Sequence, residues 1–206
     1  MKLLKKYSTT VFLFLFLASF AKAQVSDKEI KPNYFKENSY KRIHLGRFST
    51  YFGKKIALFT GGFDYGVKLI KIKPDFKLID LSLGSNFILA FDGMYNSSRA
   101  RPNYTRIVPG IELNWNLRLY FLRIQSINTQ LYLEGLGMTF VYYAIPYPDK
   151  GTKINIGSHV GIGMDYQINS KLRGFKSLRL FHTSNGKDFD QNPTINAIGV
   201  VMGIQF

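Results

Sequence analysis

Cysteine is absent from this chain of 206 residues, so no disulfide framework can hold its fold. Long apolar stretches are scarce as well, because the one run of any length lies near the N-terminus, at residues 11–20. A membrane-spanning helix needs about 20 apolar residues, so a bundle of such helices is excluded. What remains is a β protein, either soluble or embedded in a membrane as a barrel.

Acidic residues are also few: the sequence has 13 Asp and Glu against 28 Lys and Arg. The N-terminal run has the basic start, the apolar middle and the Ala21-Lys22-Ala23 ending of a secretory signal peptide. We expect residues 1–23 to be cleaved on export, because the apolar run is about half as long as a membrane anchor requires. An exported basic protein meets anionic lipid headgroups, and we expect no nucleic-acid partner.

The chain is rich in glycine and in aromatic residues, with 18 Gly, 18 Phe and 13 Tyr. Beyond residue 42, apolar residues alternate with small or polar ones at a period of two, which is typical of β-strands. The alternation is clearest in four segments: 63–69, 110–119, 153–168 and 197–206. A soluble sandwich also alternates. Here, however, the second face is mainly Gly, Asn and Asp, which suits a narrow polar lumen behind a lipid-facing exterior.

The pattern therefore predicts an all-β fold, an eight-stranded antiparallel transmembrane β-barrel of residues 43–206. Residues 24–42 are polar and predict a short N-terminal periplasmic extension. The expected strands are 43–52, 56–72, 76–91, 104–121, 129–143, 153–168, 176–185 and 196–206. The interior of so small a barrel is filled by side chains, so we do not expect it to conduct solute.

The last strand ends on Phe206, and an apolar strand with a terminal aromatic residue resembles the outer-membrane assembly signal. The resemblance implies the cell outer membrane of a Gram-negative bacterium, with the C-terminus in the periplasm. The hairpin loop between the seventh and eighth strands is then extracellular. Polar side chains beside that loop would lie at the depth of the outer leaflet.

Three polar residues are expected to converge there on the outer face. His182 and Ser184 are two residues apart on the seventh strand, so they project from the same side as Leu178 and Leu180. At this spacing an imidazole can act as a base toward a hydroxyl. Asn196 shares the parity of the outward residues of the eighth strand, and antiparallel pairing would bring it close to the other two. Polar groups that face hydrocarbon are costly, so their placement needs a reason.

A longer motif surrounds these residues: His182-Thr183-Ser184-Asn185, a glycine, then Asn192-Pro193-Thr194-Ile195-Asn196 and the final strand. This motif resembles the lipid A 3-O-deacylase (acyloxyacyl hydrolase-like) family of outer-membrane barrels. The segment Thr152–Gly163 is similar to the sixth strand of that family, and the resemblance extends from Leu131 onward. It implies a serine-dependent carboxylic ester hydrolase that acts on lipid A or another outer-leaflet lipid.

The resemblance also implies a role for each residue of the motif. Ser184 matches the nucleophile and His182 the general base. Asn192 matches the residue that stabilises the oxyanion, and Asn185 and Gly186 lie beside the nucleophile, where backbone amides would contribute to the same stabilisation.

Two positions depart from the family pattern. Asn196, the expected third catalytic residue, stands where a characterised member has Glu. An Asn can hold the tautomer of His182 by accepting a hydrogen bond, but it cannot stabilise imidazolium by charge. Asp188 and Asp190 are less well placed substitutes. Thr194 stands where the family usually has Gly, which affects the turn.

Four basic residues are candidates for binding the phosphates of lipid A: Arg173, Lys176, Arg179 and Lys187. A solvated basic rim is the alternative reading of each. His159 is expected in the lumen, and His44 has no neighbour at ligand spacing, so neither a metal nor another cofactor is expected.

Two other functions remain open. A non-catalytic barrel, structural or adhesive, would retain the motif without turnover, and the neutral Asn196 favours it. An acyltransferase barrel would need a phospholipid pocket in its lumen, which the glycine and charged lumen positions do not suggest. The sequence leaves open which acyl position is cleaved and whether protomers form a homodimer.

Overall fold

The computed structural model describes residues 37–51, 56–73, 76–92, 106–148, 151–185 and 194–206. The strands of this part are β1 (Ser39–Thr50), β2 (Ile56–Lys73), β3 (Phe76–Asp92), β4 (Ile107–Ile124), β5 (Thr129–Tyr143), β6 (Ile154–Gln167), β7 (Arg173–Ser184) and β8 (Thr194–Gln205), with a 3-10 turn at Gln125–Ile127. The predicted signal peptide and residues 24–36 of the predicted extension lie outside the described residues. No helix in these ranges is long and apolar enough to cross a membrane.

Each strand pairs antiparallel with its neighbours in the chain, and β1 pairs with β8, so the sheet closes into a barrel. Closure gives every strand a hydrogen-bonded partner on both sides and leaves no free edge. The predicted eight-stranded antiparallel barrel is confirmed. The strands from β2 to β8 begin within three residues of their expected starts.

The first strand begins at Ser39, four residues before its predicted start, so the predicted boundary of the extension at residue 42 is wrong. Tyr40 and Arg42 are buried in the lumen. Arg42 donates hydrogen bonds to the hydroxyl of Tyr40 at 2.8 Å and to Oδ2 of Asp80 at 3.0 Å. A polar stretch resembles a linker in the sequence, but in this barrel polar residues form the inner face of a strand.

The described side chains of the outer face are mainly apolar on all eight strands. Its most exposed large side chains include Leu45, with 67% of its surface exposed, Leu83 with 64% and Ile154 with 61%. Soluble proteins do not expose apolar surface of this extent. The outer face is therefore the surface that contacts the hydrocarbon of a membrane.

The lumen holds buried charges, and several of them are paired. Glu134 accepts a hydrogen bond from Nε of Arg179 at 2.6 Å and another from Nε of Arg118 at 3.1 Å. Arg118 also lies 3.4 Å from Oδ1 of Asp165. An unpaired buried charge is strongly unfavourable, so this network is what allows charged side chains to fill so narrow a lumen.

Little space is left in the middle of the barrel. A cavity of about 10 Å³ lies beside His159, Arg179 and Phe181, which is room for about one water molecule. An acyl chain does not fit there. This packing disfavours an acyltransferase that would hold its lipid donor in the lumen.

The two ends of the barrel differ in their connections. At the end that holds Phe206, the strands are joined by short turns, at residues 74–75, 125–128 and 168–172. At the opposite end the connection at residues 51–55 is also short, whereas those at residues 93–106, 144–153 and 185–193 are longer. Outer-membrane barrels have short periplasmic turns and longer extracellular loops. The C-terminus is therefore assigned to the periplasm and the loop between β7 and β8 to the extracellular side, which agrees with the expected orientation.

Replacing Glu134 with Gln removes the negative charge shared by Arg118 and Arg179. We expect Glu134→Gln to destabilise the barrel by about 3–5 kcal/mol, because both buried guanidinium groups lose a counter-charge. Urea-induced unfolding of the protein in lipid vesicles, followed by the gel shift between folded and unfolded forms, measures the change. Ser85→Ala, on the outer face of β3, is the control and should unfold at the wild-type midpoint. A Glu134→Gln midpoint equal to that of the control would show that the network contributes no stability.

Candidate active site

His182 and Ser184 lie near the extracellular end of β7, and Asn196 lies near the start of β8. In the register of these strands His182 pairs with Asn196, and Ser184 pairs with Thr194. Phe181, which precedes His182, is buried in the lumen. Because successive side chains of a strand point to opposite faces, His182 and Ser184 point outward.

The imidazole of His182 is hydrogen-bonded to the amide of Asn196, with Nδ1 at 2.7 Å from Oδ1. The same amide donates through Nδ2 to Oγ1 of Thr194 at 3.2 Å. In this arrangement Nδ2 is directed to Thr194 and the acceptor Oδ1 faces the ring. An acceptor requires a proton on Nδ1. Nε2 therefore carries the lone pair that a general base needs.

Ser184 is half-buried and lies two residues from His182 on the same strand, a separation of about 6.6 Å along the strand axis. In the part of the chain that the structure describes, no hydrogen bond joins its hydroxyl to the imidazole. Catalytic hydrogen bonds of this kind often form fully only with substrate bound. The arrangement thus provides a base and a hydroxyl on the same face of one strand.

Ser158 of β6 is a second outward hydroxyl, and the sequence did not single it out. It is exposed and pairs directly with His182 across β6 and β7. Residues directly opposite each other have Cβ atoms about 4.5–5.5 Å apart. Ser158, His182 and Asn196 therefore form one row across three strands. The alternation of β6 indicated only the face of Ser158, and the register of the sheet decides which residue it neighbours.

The expected oxyanion residues are described only in part. Asn185 directly follows β7 and is half-buried. Several other residues of this loop lie outside the described ranges: Gly186, Lys187, Asp188, Asp190 and Asn192. Their expected roles stay predictions.

Arg179 faces the lumen, so its predicted contact with a substrate phosphate is wrong. Its Nε donates to Oε1 of Glu134 at 2.6 Å. It shares the inward parity of Phe181, whose ring packs inside the barrel against Phe48 with centroids 5.6 Å apart. An apolar residue on the inner face blurs the alternation of β7, and that is why the sequence does not clearly separate the two faces here.

Arg173 and Lys176 lie at the wrong end of β7 for the predicted phosphate contact. Arg173 pairs with Gln205 and lines the polar periplasmic mouth of the barrel, a space of about 540 Å³. Lys176 points outward near that same end. Eleven residues of extended chain separate Arg173 from Ser184, or about 36 Å along the strand. A lipid bound at Ser184 in the outer leaflet is too far away to contact either side chain with its headgroup.

An apolar surface borders the candidate site on the side of β6. Ile156 pairs with Ser184, and Phe140 of β5 pairs with Ile156. Each of these two side chains is 47% exposed. Ile154 and Tyr142 extend the surface toward the loops. The polar row therefore lies at the extracellular edge of a face that is otherwise suited to acyl chains.

The other histidines are in the lumen. Nε2 of His44 lies 2.9 Å from Oδ1 of Asn86, and His159 is buried. In the ranges that the structure describes, no group of three or more His, Cys, Asp or Glu residues is arranged to hold a metal ion.

A family model described as lipid A 3-O-deacylase (PagL) matches residues 85–205, which is more than half of the chain. No curated protein matches the sequence. Among solved structures, the outer membrane enzyme PagL is similar, with a TM-score of 0.57 and 10% identity over 79% of this chain and 97% of that one. Neisserial surface protein A (NspA) has a TM-score of 0.49 and 13% identity over 81% of this chain and 94% of that one. At 10% identity, the likeness to the first of these structures shows a shared barrel fold.

Asn196→Ala removes the acceptor for Nδ1 of His182. We expect the imidazole then to occupy both tautomers, because nothing holds the proton on Nδ1. Nitrogen NMR of the barrel with labelled histidine should show a protonated Nδ1 and an unprotonated Nε2 in the wild type. Thr194→Val should shift the ring toward the mixture by releasing the amide, whereas Thr194→Ser should not. A wild-type ring that already samples both tautomers would contradict the assigned role of this hydrogen bond.

Proposed function

Since this chain belongs to the lipid A 3-O-deacylase family, we propose that it is a serine-dependent esterase that removes an ester-linked acyl chain from lipid A or a related outer-leaflet lipid. The family and the outer-membrane barrel fold place the protein in the outer membrane of a Gram-negative bacterium. The serine mechanism and the substrate are the proposed part. One observation carries them: the outward His182 is held by Asn196 on the face that also presents Ser184.

The proposed reaction begins when Nε2 of His182 takes the proton from Oγ of Ser184. Oγ then forms a bond to the carbonyl carbon of the ester, and the tetrahedral intermediate collapses as the sugar hydroxyl leaves with the proton from His182. Water attacks the acyl-enzyme with the same base and releases the fatty acid. The backbone amides near Asn185 and Gly186, together with Asn192, are proposed to stabilise the oxyanion.

The third residue of the proposed catalytic group, Asn196, is neutral, and this limits the rate of acyl transfer. Asn196 can fix the orientation and tautomer of His182, which is the role of Asn in Cys-His-Asn proteases. It does not stabilise the imidazolium that forms in the transition state by charge. We therefore expect slower acyl transfer than with a carboxylate at this position.

The lipid-facing position of the site suits a substrate that never leaves the membrane. The lumen is filled by its own side chains, so the ester approaches from the outside of the barrel. The exposed apolar surface of Ile156 and Phe140 supports a bound acyl chain beside Ser184. A hydrolase with this geometry draws its substrate by lateral diffusion in the outer leaflet.

Ser184→Ala tests the nucleophile. In a Gram-negative host that expresses the wild-type protein, mass spectrometry of lipid A should reveal a species that has lost one acyl chain. Ser184→Ala should reduce turnover of the purified protein by at least about a thousandfold. Ser85→Ala, an outward serine on the far strand β3, is the control and should retain full activity.

Two outward hydroxyls, those of Ser158 and Ser184, lie near His182, and Ser158→Ala tests which of them is the nucleophile. Loss of activity in Ser158→Ala but not in Ser184→Ala would assign the nucleophile to β6 and reject the proposed role of Ser184. If lipid A from cells with the wild type and with Ser184→Ala is unchanged in acylation, deacylation of lipid A is rejected. The non-catalytic barrel would then be the better reading.

Asn196→Glu tests the third residue. We expect it to increase kcat, because a carboxylate stabilises the imidazolium that develops on His182. Asn196→Ala should reduce kcat by about tenfold or more through loss of the favoured tautomer. Both variants are compared with the wild type on lipid A in detergent micelles. Equal kcat in all three proteins would move the third role away from residue 196.

A further inference from the structure

The outer face carries few charges among the strand residues whose side chains the structure describes. Among strand residues whose side chains the structure describes, the exposed outward cations are Lys41, Arg47 and Lys176, and no carboxylate points outward. The backbone of Lys41 is bonded to Phe206 at 2.9 Å, and Lys176 is the fourth residue of β7, so both lie toward the periplasmic end. Arg47 is the ninth of the twelve residues of β1 and lies in the extracellular half of its strand.

Arg47 is exposed among apolar neighbours. It pairs with Phe59 of β2 and with Val200 of β8, and Leu45 is the next outward residue of its own strand. The guanidinium carbon lies 5.6 Å from the centre of the Phe59 ring, a cation–π contact that holds the side chain along the outer surface. A guanidinium exposed on the lipid-facing surface, in the extracellular half of its strand, is a candidate for binding the headgroup of a membrane lipid.

The tilt of the strands brings Arg47 close to the depth of the candidate active site. Arg42 of β1 has a partner on β2, that residue has a partner on β3, and so on around the barrel. The last partner in this series is Ile195 of β8. Ile195 lies two residues nearer the extracellular loop than Ala197, the partner of Thr50. Ile195 is therefore level with a position of β1 two residues beyond Thr50, which is about ten residues beyond the starting Arg42. A displacement of about ten residues around eight strands corresponds to a strand tilt of about 40°, so that a cross-strand partner lies about 3 Å nearer the extracellular side at each successive strand.

This rise fixes the relative depth of Arg47 and His182. Arg47 pairs with Val200, and Val200 pairs with Leu178, four residues before His182 on β7. The two steps from β7 to β1 lift Arg47 by about 6 Å relative to Leu178, while four residues of tilted strand lift His182 by about 10 Å. The two residues therefore differ in depth by only about 4 Å, which an arginine side chain spans.

The two residues also share one continuous outer surface. Two strand spacings and four residues separate their Cα atoms by about 16 Å. The surface between them is formed by the outward side chains of β8, which include Ile198 and Val200. A multiply acylated lipid that lies across β7, β8 and β1 can therefore contact both residues at once.

We propose that Arg47 binds a phosphate group of the lipid whose ester lies at Ser184. The proposal rests on the proposed function for the identity of that lipid. A group on the outer face meets only membrane lipids, so the anion that Arg47 binds belongs to a headgroup. A guanidinium presents two parallel donors to phosphate oxygens, and Phe59 holds it in place for that contact. Phosphate binding was predicted for Arg173, Lys176 and Arg179, but these residues lie in the lumen or near the periplasmic end. We assign that role to Arg47.

Lipid binding to a protein that does not turn over tests this contact apart from catalysis. The full mature chain with Ser184→Ala, in detergent, is titrated with lipid A and with the same lipid A after enzymatic removal of its phosphates. We expect lipid A to bind about tenfold or more tightly than its dephosphorylated form, as a charge-assisted contact provides. Adding Arg47→Gln should abolish this preference. Adding Lys41→Gln, an outward cation at the other end of β1, should leave it intact.

The same change in the active protein should raise KM for lipid A without lowering kcat, and Arg47→Lys should restore only part of the binding, because an ammonium lacks the guanidinium fork. Equal binding of both lipids before the substitution, or the same loss with Lys41→Gln, would overturn the proposal. A wild-type protein that cleaves no lipid A ester would reject the proposed function, and the binding titration would still decide the role of Arg47.

Discussion

Every backbone N–H and C=O group inside a bilayer needs a partner from the protein itself, and the closed sheet of this chain meets that requirement. Pairing of β1 with β8 completes a ring in which each strand has two neighbours. Eight strands enclose a lumen so narrow that side chains fill it. The position of any chemistry follows from this constraint, because a large substrate can reach only the outer face.

The same constraint separates the charges of the protein into two groups. In the lumen, Glu134 is paired with Arg118 and Arg179, which compensates the cost of burying these charges. Among the described strand residues, the outward cations Lys41, Arg47 and Lys176 lie on the lipid-facing surface. Arg47 beside Phe59 is the one of these that lies near the depth of His182.

Two departures from the family pattern act together in the candidate active site. Asn196 replaces an expected carboxylate, and Thr194 replaces an expected glycine. Alone, an amide beside an imidazole has two orientations, one of which would favour the wrong tautomer. The hydroxyl of Thr194 accepts from Nδ2 of Asn196, while Oδ1 of the same amide faces His182. Threonine at this position therefore contacts the amide that holds His182, a contact that glycine has no side chain to make.

Alternation along each strand by itself determined the fold class, the number of strands and the outward face of His182, Ser184 and Asn196, because the side-chain period of a strand is local. Alternation does not fix register or depth. Only the closed and tilted sheet decided that Ser158 lies opposite His182, that Arg179 pairs with Glu134 across the lumen, and that Arg47 is near the depth of the site. These relations join residues far apart in the chain, and pairing between strands sets them.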